Sequence, residues 1–361
     1  MNRRTGNTPR RCLRGCCAAM VAILLLAGAA HAEPFVPNDP YYAAGHQWYA
    51  ETLNLPQAWG YSLGSADVTV AILDTGVMAD TPDLAGRVLD PLTATGEVLD
   101  GTANHHGTWV ASSACAGVDN GIGGAGVANV SILPITVTAA NGANASADLA
   151  LGIRMAADAG ARVINVSQKA VLCGLLDEAA AYARGLGALT FVAAGNDNER
   201  VTSVDDYEHL VFVSGTDEAD QRWVKDEHTG STWGPHIDLS APASQILVAD
   251  PIDLPSGYGL ADGTSYASPL AAAAAAVAWS IAPDLTPEEV WDLLCLTAVD
   301  LGEAGRDEVY GHGRVDVGGV AAGAAALVPE PATLALVGAG LALALARRRH
   351  RRVHVEDVAE G

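Results

Sequence analysis

Four apolar runs constrain the fold of this chain more than anything else in it. They are "DVTVAILD" ending at Asp74, "ARVINVS" ending at Ser167, "ALTFVAAG" ending at Gly195 and "HLVFVSG" ending at Gly215. Each is rich in Val, Ile or Leu and does not alternate with polar residues, the pattern of a strand covered on both faces. Between them stand helical patterns such as "ADLALGIRMAADAG" and "GLLDEAAAYARGLG". Strands alternating with helices predict an α/β fold with a mostly parallel central sheet. Residues 33 to 327 carry no internal repeat and no low-complexity break, so one α/β domain is expected over that range.

The two ends read differently. Arginines at 3, 4, 10, 11 and 14 precede the apolar run "CCAAMVAILLLAGAA", and "AHA" at 30 to 32 is a small-x-small cleavage site, so residues 1 to 32 are expected to be a signal peptide. At the far end, "VPEP" leads into an apolar run from Ala332 to Ala346 and five arginines between 347 and 352. Fifteen helical residues rise only about 22 Å, so this segment would span a bilayer with its flanks snorkelling. The arginines would then stay in the cytoplasm, with 353 to 361 as a cytoplasmic tail. Tripeptide, apolar run and terminal arginines in that order (residues 328 to 352) resemble the PEP-CTERM sorting signal of exosortase substrates. The resemblance implies an exosortase-type processing protease as a partner and a transient membrane anchor on an exported protein of the cell envelope or exterior.

Between these ends, residues 33 to 328 hold 10 Lys and Arg against 38 Asp and Glu, a net charge of −28. That argues against a nucleic-acid partner, which needs a basic face. Three cysteines remain there, Cys115, Cys173 and Cys295, compatible with one disulfide or with none.

In parallel sheets the working groups lie past the carboxyl ends of strands. Asp74 closes one run and Asn196 follows another. His106 opens the helical stretch "HGTWVASSACAG", with Asn104 a candidate cap. Ser265 lies where "DGTS" meets a long alanine-rich helix in which Pro269 is expected in the first turn, and that helix N-terminus favours negative charge. Taken singly, Asp74 is a turn aspartate, Ser265 a helix cap, Asn196 a left-handed turn residue after Gly195 and His106 a loop histidine. Taken together they are the parts of acyl transfer. A serine hydroxyl needs a base to take its proton, the base needs a buried carboxylate to fix its tautomer, and the tetrahedral intermediate needs a donor for its oxyanion.

The motifs "AILDTGV", "HHGTWVAS", "VAAGN" and "GTSYASP", in the order Asp, His, Ser, resemble the subtilisin-like serine proteases, or subtilases, and "NDPYYAAGHQWYAETLNLPQAWGYSLG" is similar to their thermitase-like branch. The resemblance implies a three-layer sandwich and a serine endopeptidase. Asp74 would orient, His106 act as base, Ser265 attack and Asn196 line the oxyanion hole. His105 is then a bystander, because the family's histidine directly precedes Gly-Thr. Gly195, Ser167 and Lys169 would lie along the substrate. The same resemblance implies a structural calcium held by Asp39, Asp83, Asn120 and backbone oxygens near Gly117, Ile122 and Gly124, a set chemically suited to Ca²⁺.

Departures also count. Ser167 is followed by Gln168, Lys169 and Ala170 where relatives have Leu-Gly-Gly, Trp109 replaces a common histidine and Ser112 a common glycine. Only Glu33 to Pro37 separate Ala32 from Asn38, so folding is expected to proceed without the family's usual pro-segment. The altered substrate strand keeps an alternative in view, a weakly active or inactive surface binding protein on the same fold. A generic esterase is a third reading, since the triad serves any acyl transfer.

Overall fold

The computed structural model describes residues 32–139, 145–168, 174–202, 207–252 and 256–328. All but Ala32 of the expected signal peptide and all but Val328 of the expected sorting tail lie outside them. Three short helices come first, α1 (Pro40–Ala43), α2 (Trp48–Thr52) and α3 (Leu55–Tyr61). Strand β1 (Thr69–Asp74), β2 (Leu92–Thr93), helix α4 (His106–Cys115) and β3 (Ser131–Thr136) follow. Next are α5 (Ser146–Asp158), β4 (Val163–Val166), α6 (Gly174–Gly185), β5 (Leu189–Ala193), β6 (Leu210–Thr216) and β7 (Leu239–Pro242). A hairpin of β8 (Ile246–Ala249) and β9 (Tyr258–Ala261) leads into α7 (Thr264–Ile281), α8 (Pro287–Thr297) and α9 (Val317–Leu327).

Seven strands form one sheet in the order β2-β3-β1-β4-β5-β6-β7, every pair parallel. All four apolar runs are strands of it, each entirely or almost entirely buried. Along β1, Val70 and Ile72 face one core while Ala71 and Leu73 face the other. This two-sided burial is why the runs do not alternate. On the first face lie α4, α7, α8 and α9; on the second lie α5 and α6. The expected three-layer α/β sandwich is the fold observed.

Helix α7 runs through the first core, with Ala271 to Ala276 fully buried. Alanine gives up no side-chain entropy and lets the helix lie close to the sheet, which suits a helix buried all round. Pro269 lies inside α7, past the first turn where the sequence led us to expect it. Without an N–H it cannot bond the carbonyl of Ser265 four residues back. That carbonyl accepts the Ser167 hydroxyl instead, at 2.8 Å. The missing helix bond is thereby replaced by one from the end of β4.

Strand β3 carries Pro134 in its middle. The neighbouring residue Ile132 bonds outward to Arg87 and Leu89, and β2 pairs only with Ile135 and Thr136. The absent donor of Pro134 thus falls in a gap of the outer ladder.

Candidate active site

The strand order reverses at β1, whose neighbours β3 and β4 continue the sheet in opposite directions. The crevice past the carboxyl ends of such strands is where parallel sheets place ligands. Asp74 is the last residue of β1 and fully buried; Ser167 follows β4; Gly195 and Asn196 follow β5.

His106, the first residue of α4, meets Asp74 through Nδ1, 2.8 Å from Oδ1 and 2.9 Å from Oδ2. The carboxylate has no solvent exposure, whereas the imidazole keeps 27%. Burial presses the His106 pKa down, but the charge and hydrogen bond of Asp74 outweigh it and leave the pKa raised. Two local bonds set the ring's position. The Asn104 side chain accepts the His106 N–H at 3.1 Å, and Thr75 Oγ1 both donates to Asn104 O and accepts the Gly107 N–H. Gly107 itself is required, because a Cβ there would sit 2.1 Å from the carbonyl oxygen of Gly76.

Ser265 stands in the first turn of α7, two residues after the N-cap Gly263 at φ 144°. Its hydroxyl donates to Ser167 O at 3.4 Å, a long and weak bond. The Ser167 hydroxyl is held in turn by Asn165, whose Nδ2 donates to it at 2.9 Å and whose Oδ1 accepts from Ser268 at 2.7 Å. Asn196 is exposed, and its Oδ1 accepts both the N–H and the hydroxyl of Thr264, at 2.9 and 2.8 Å. With its oxygen tied, the amide is oriented and Nδ2 is the group it can offer a ligand. The left-handed conformation in this turn falls on Gly195 (φ 105°) and Asn198 (φ 50°), not on Asn196.

The structure therefore brings Asp74, His106, Ser265, Asn196, Ser167 and Gly195 to one crevice. Lys169 and Cys173 lie outside the described residues. Gln168 reaches the same crevice, Nε2 lying 3.4 Å from His106 Nδ1. Thr75, Asn165, Thr264 and Ser268 escaped the sequence reading, because nothing in their local pattern marks them and their partners are distant in the chain. Tyr266 also lines this region, its ring 6.2 Å from that of His106; burial first, then Asp74 and Asp262, push its pKa up. His105, expected to stand by while His106 acts, has its own partners, its ring meeting Asp250 and Thr102.

The six residues matched to calcium also gather. Asp39 and Asp83 are fully buried, 0% and 1% exposed. Asp39 accepts the N–H groups of Asp119 (2.8 Å) and Asn120 (3.2 Å). Asp83 accepts those of Gly117 and Gly124 (3.1 Å each), the Asn120 amide (2.9 Å) and the Tyr258 hydroxyl (3.3 Å). Asn120 Oδ1 accepts the Ile122 N–H at 2.8 Å. Burial raises the pKa of Asp39 and pushes that of Asp83 up to about 6, against the lowering by these donors. Two carboxylates costly to ionise, beside an amide and the peptide carbonyls of one loop, fit a hard cation by donor type. In the geometry described, protein N–H and O–H groups satisfy both carboxylates. Among the described residues no three His, Cys, Asp or Glu side chains converge, so backbone oxygens would have to complete the shell. The thiol of Cys115, deep in α4, is pushed up to about 12 by burial.

A model of the subtilase family, Peptidase S8, matches residues 65–313. The chain belongs to the subtilase family. This subtilase is 35% identical over 292 residues to the halolysin-like extracellular serine protease Nep of Natrialba magadii, covering 78% of this chain and 52% of that one. It is 34% identical to thermitase of Thermoactinomyces vulgaris over 65% of this chain and 82% of thermitase. The chain thus spans only about half the length of its halolysin-type relative. Among solved structures, a protease of Pseudoalteromonas arctica PAMC 21717 superposes with a TM-score of 0.67 at 27% identity, over 80% of this chain and 99% of that one. The PEP-CTERM protein-sorting motif matches residues 327–352. Among the described residues no helix is long and apolar enough to cross a membrane; the apolar run of the tail lies outside them.

Proposed function

We propose that this subtilase is an exported serine endopeptidase that hydrolyses peptide bonds through Asp74, His106 and Ser265, with Asn196 donating to the oxyanion. The observation that carries the reading is the contact of His106 Nδ1 with the wholly buried Asp74 carboxylate. A base held this way carries its own proton on Nδ1 and keeps Nε2 to take the proton of Ser265 as Oγ attacks the peptide carbonyl. The tetrahedral oxyanion forms in front of Asn196 Nδ2 and the positive end of α7. His106 then returns the proton to the leaving amine, and water repeats the cycle on the acyl-enzyme. The base must be neutral to act, so activity falls as pH drops through its raised pKa.

A fluorophosphonate probe tests the reading, with labelling expected at Ser265 in native protein and none in Ser265→Ala. Native protein that leaves the probe unreacted would favour the inactive binding module, a reading to which the Ser265 hydroxyl bond to Ser167 lends some support.

Three further assignments accompany this one. Asp39, Asp83, Asn120 and the carbonyls of Gly117, Ile122 and Gly124 would hold a structural calcium, which when bound would supply the positive charge that two buried carboxylates lack. An exosortase-type protease processes the tail, which supports an envelope or extracellular destination; the motif at 327–352 motivates this. Lys169 stands where relatives of the family have a glycine of the primary specificity pocket, and a lysine at that place would favour an acidic or small substrate side chain.

A further inference from the structure

His105, Trp109 and Ser112 stand at i, i+4 and i+7, one stripe of α4 starting at its N-cap. All three bond to the same two residues at the end of β8. Ser112 Oγ accepts the Ala249 N–H at 2.9 Å, and the Trp109 indole donates to Asp250 Oδ2 at 3.0 Å. His105 Nδ1 lies 3.2 Å from Asp250 Oδ1 and 3.3 Å from Oδ2. The other ring nitrogen, Nε2, lies 3.1 Å from the carbonyl oxygen of Thr102.

These partners decide the charge of the ring. A peptide carbonyl can only accept, so Nε2 carries a hydrogen. Asp250 is 1% exposed, and besides His105 it takes the Trp109 indole on Oδ2 and the Ile252 N–H (3.2 Å) on Oδ1. Both carboxylate oxygens therefore already act as acceptors, and Asp250 meeting Nδ1 in the same role places a hydrogen on Nδ1 too. A histidine protonated on both nitrogens is an imidazolium.

We propose that His105 is a positioning residue of the protease reaction, a cationic clamp between Thr102 and Asp250 that fixes the segment presenting His106. The inference rests on the endopeptidase reading for its kinetic consequence, though not for the state of the ring. Asn104, between the clamp and the catalytic imidazole, bonds the His106 N–H and is itself bonded by Thr75. Holding 102 and 105 holds the turn on which His106 depends. The tie also reaches the hairpin that leads into the nucleophile's helix. Among the described residues, the charged and titratable groups next to His105 include Asp250, just past β8, and His106 on its own helix, with Asp74 behind His106. Asp100 bonds the N–H and hydroxyl of Thr102 in the loop before them.

The ring's charge gives the clamp a direction in pH. The clamp needs a hydrogen on each ring nitrogen, so it is complete while the ring is cationic and is lost at the pH where the ring becomes neutral. Two measurements on the mature protein test it. In ¹⁵N side-chain NMR the His105 ring should be protonated on both nitrogens at neutral pH. In kinetics, Asp250→Asn should cost about tenfold in kcat at unchanged KM and move the alkaline limb of kcat to lower pH, whereas His105→Arg should extend activity to higher pH. A neutral His105 ring at neutral pH would overturn the proposal whether or not any variant folds. So would an alkaline limb unmoved by Asp250→Asn in folded enzyme. Wild-type protein that cleaves nothing would instead count against the endopeptidase reading, and the NMR result would still decide the clamp.

Discussion

The replacement bond at Pro269 can be tested as a coupling. Ser167 is 4% exposed; its hydroxyl donates to the Ser265 carbonyl and accepts from Asn165 Nδ2. Ser167→Ala removes both bonds and leaves a carbonyl and an amide hydrogen without those partners in a dry interior. At about 1–2 kcal/mol for each group left unpaired, the cost is about 2–4 kcal/mol. For a domain of this size that lowers Tm by about 4–8 °C. In Pro269→Ala, however, residue 269 regains an N–H aimed at the same carbonyl, as in any helix. There the cost of Ser167→Ala should fall by about 1 kcal/mol, since only the Asn165 amide is newly stranded. Urea unfolding followed by tryptophan fluorescence would measure all four combinations, each in a Ser265→Ala background to prevent self-digestion. That background leaves the carbonyl in question intact. An equal cost of Ser167→Ala with and without Pro269 would refute the idea that the two residues serve the same acceptor.

Asn196→Ala should lower kcat by about 10²–10³ with little change in KM, because the amide acts on the oxyanion and not on the bound substrate; a loss confined to KM would refute that role. Chelation with EDTA should lower Tm relative to millimolar calcium, and Asp39→Ala with Asp83→Ala should abolish most of the difference; equal melting in both buffers would exclude the calcium site. Deleting Pro329 to Pro331 should leave the exported chain uncleaved and membrane-held, which mass spectrometry of its C-terminus would read; a C-terminus identical to wild type would exclude a sorting role for those residues. Lys169→Gly should improve cleavage after Phe in a peptide library, wild type preferring Glu, Asp or small residues; a wild type that already prefers Phe, with no change in the variant, would refute the pocket assignment.

What could be read from the sequence follows from how far each physical cause reaches along the chain. The four apolar runs are strands because burial on both faces is a property of single segments, and it writes itself into their composition. Asp74, His106, Asn196 and Ser265 could be singled out because each lies at the end of a strand or the start of a helix, inside a recognisable local motif. Strand β3 was not, since Pro134 breaks its local pattern and only the gap in the neighbouring ladder makes it tolerable. Pro269 was misplaced for a related reason. Its position is acceptable because Ser167, 98 residues before Ser265, supplies the donor to the Ser265 carbonyl. His105 is the sharpest case. Beside His106 it looked redundant, and its partner Asp250 is 145 residues away, beyond any spacing argument. Yet the two departures on its own helix, Trp109 and Ser112, already pointed the same way, each at a helical interval from it. Both bond to the end of β8. Substitutions that leave a family's pattern on one helical stripe are therefore best read together, as one altered contact with a single partner, before any of them is set aside.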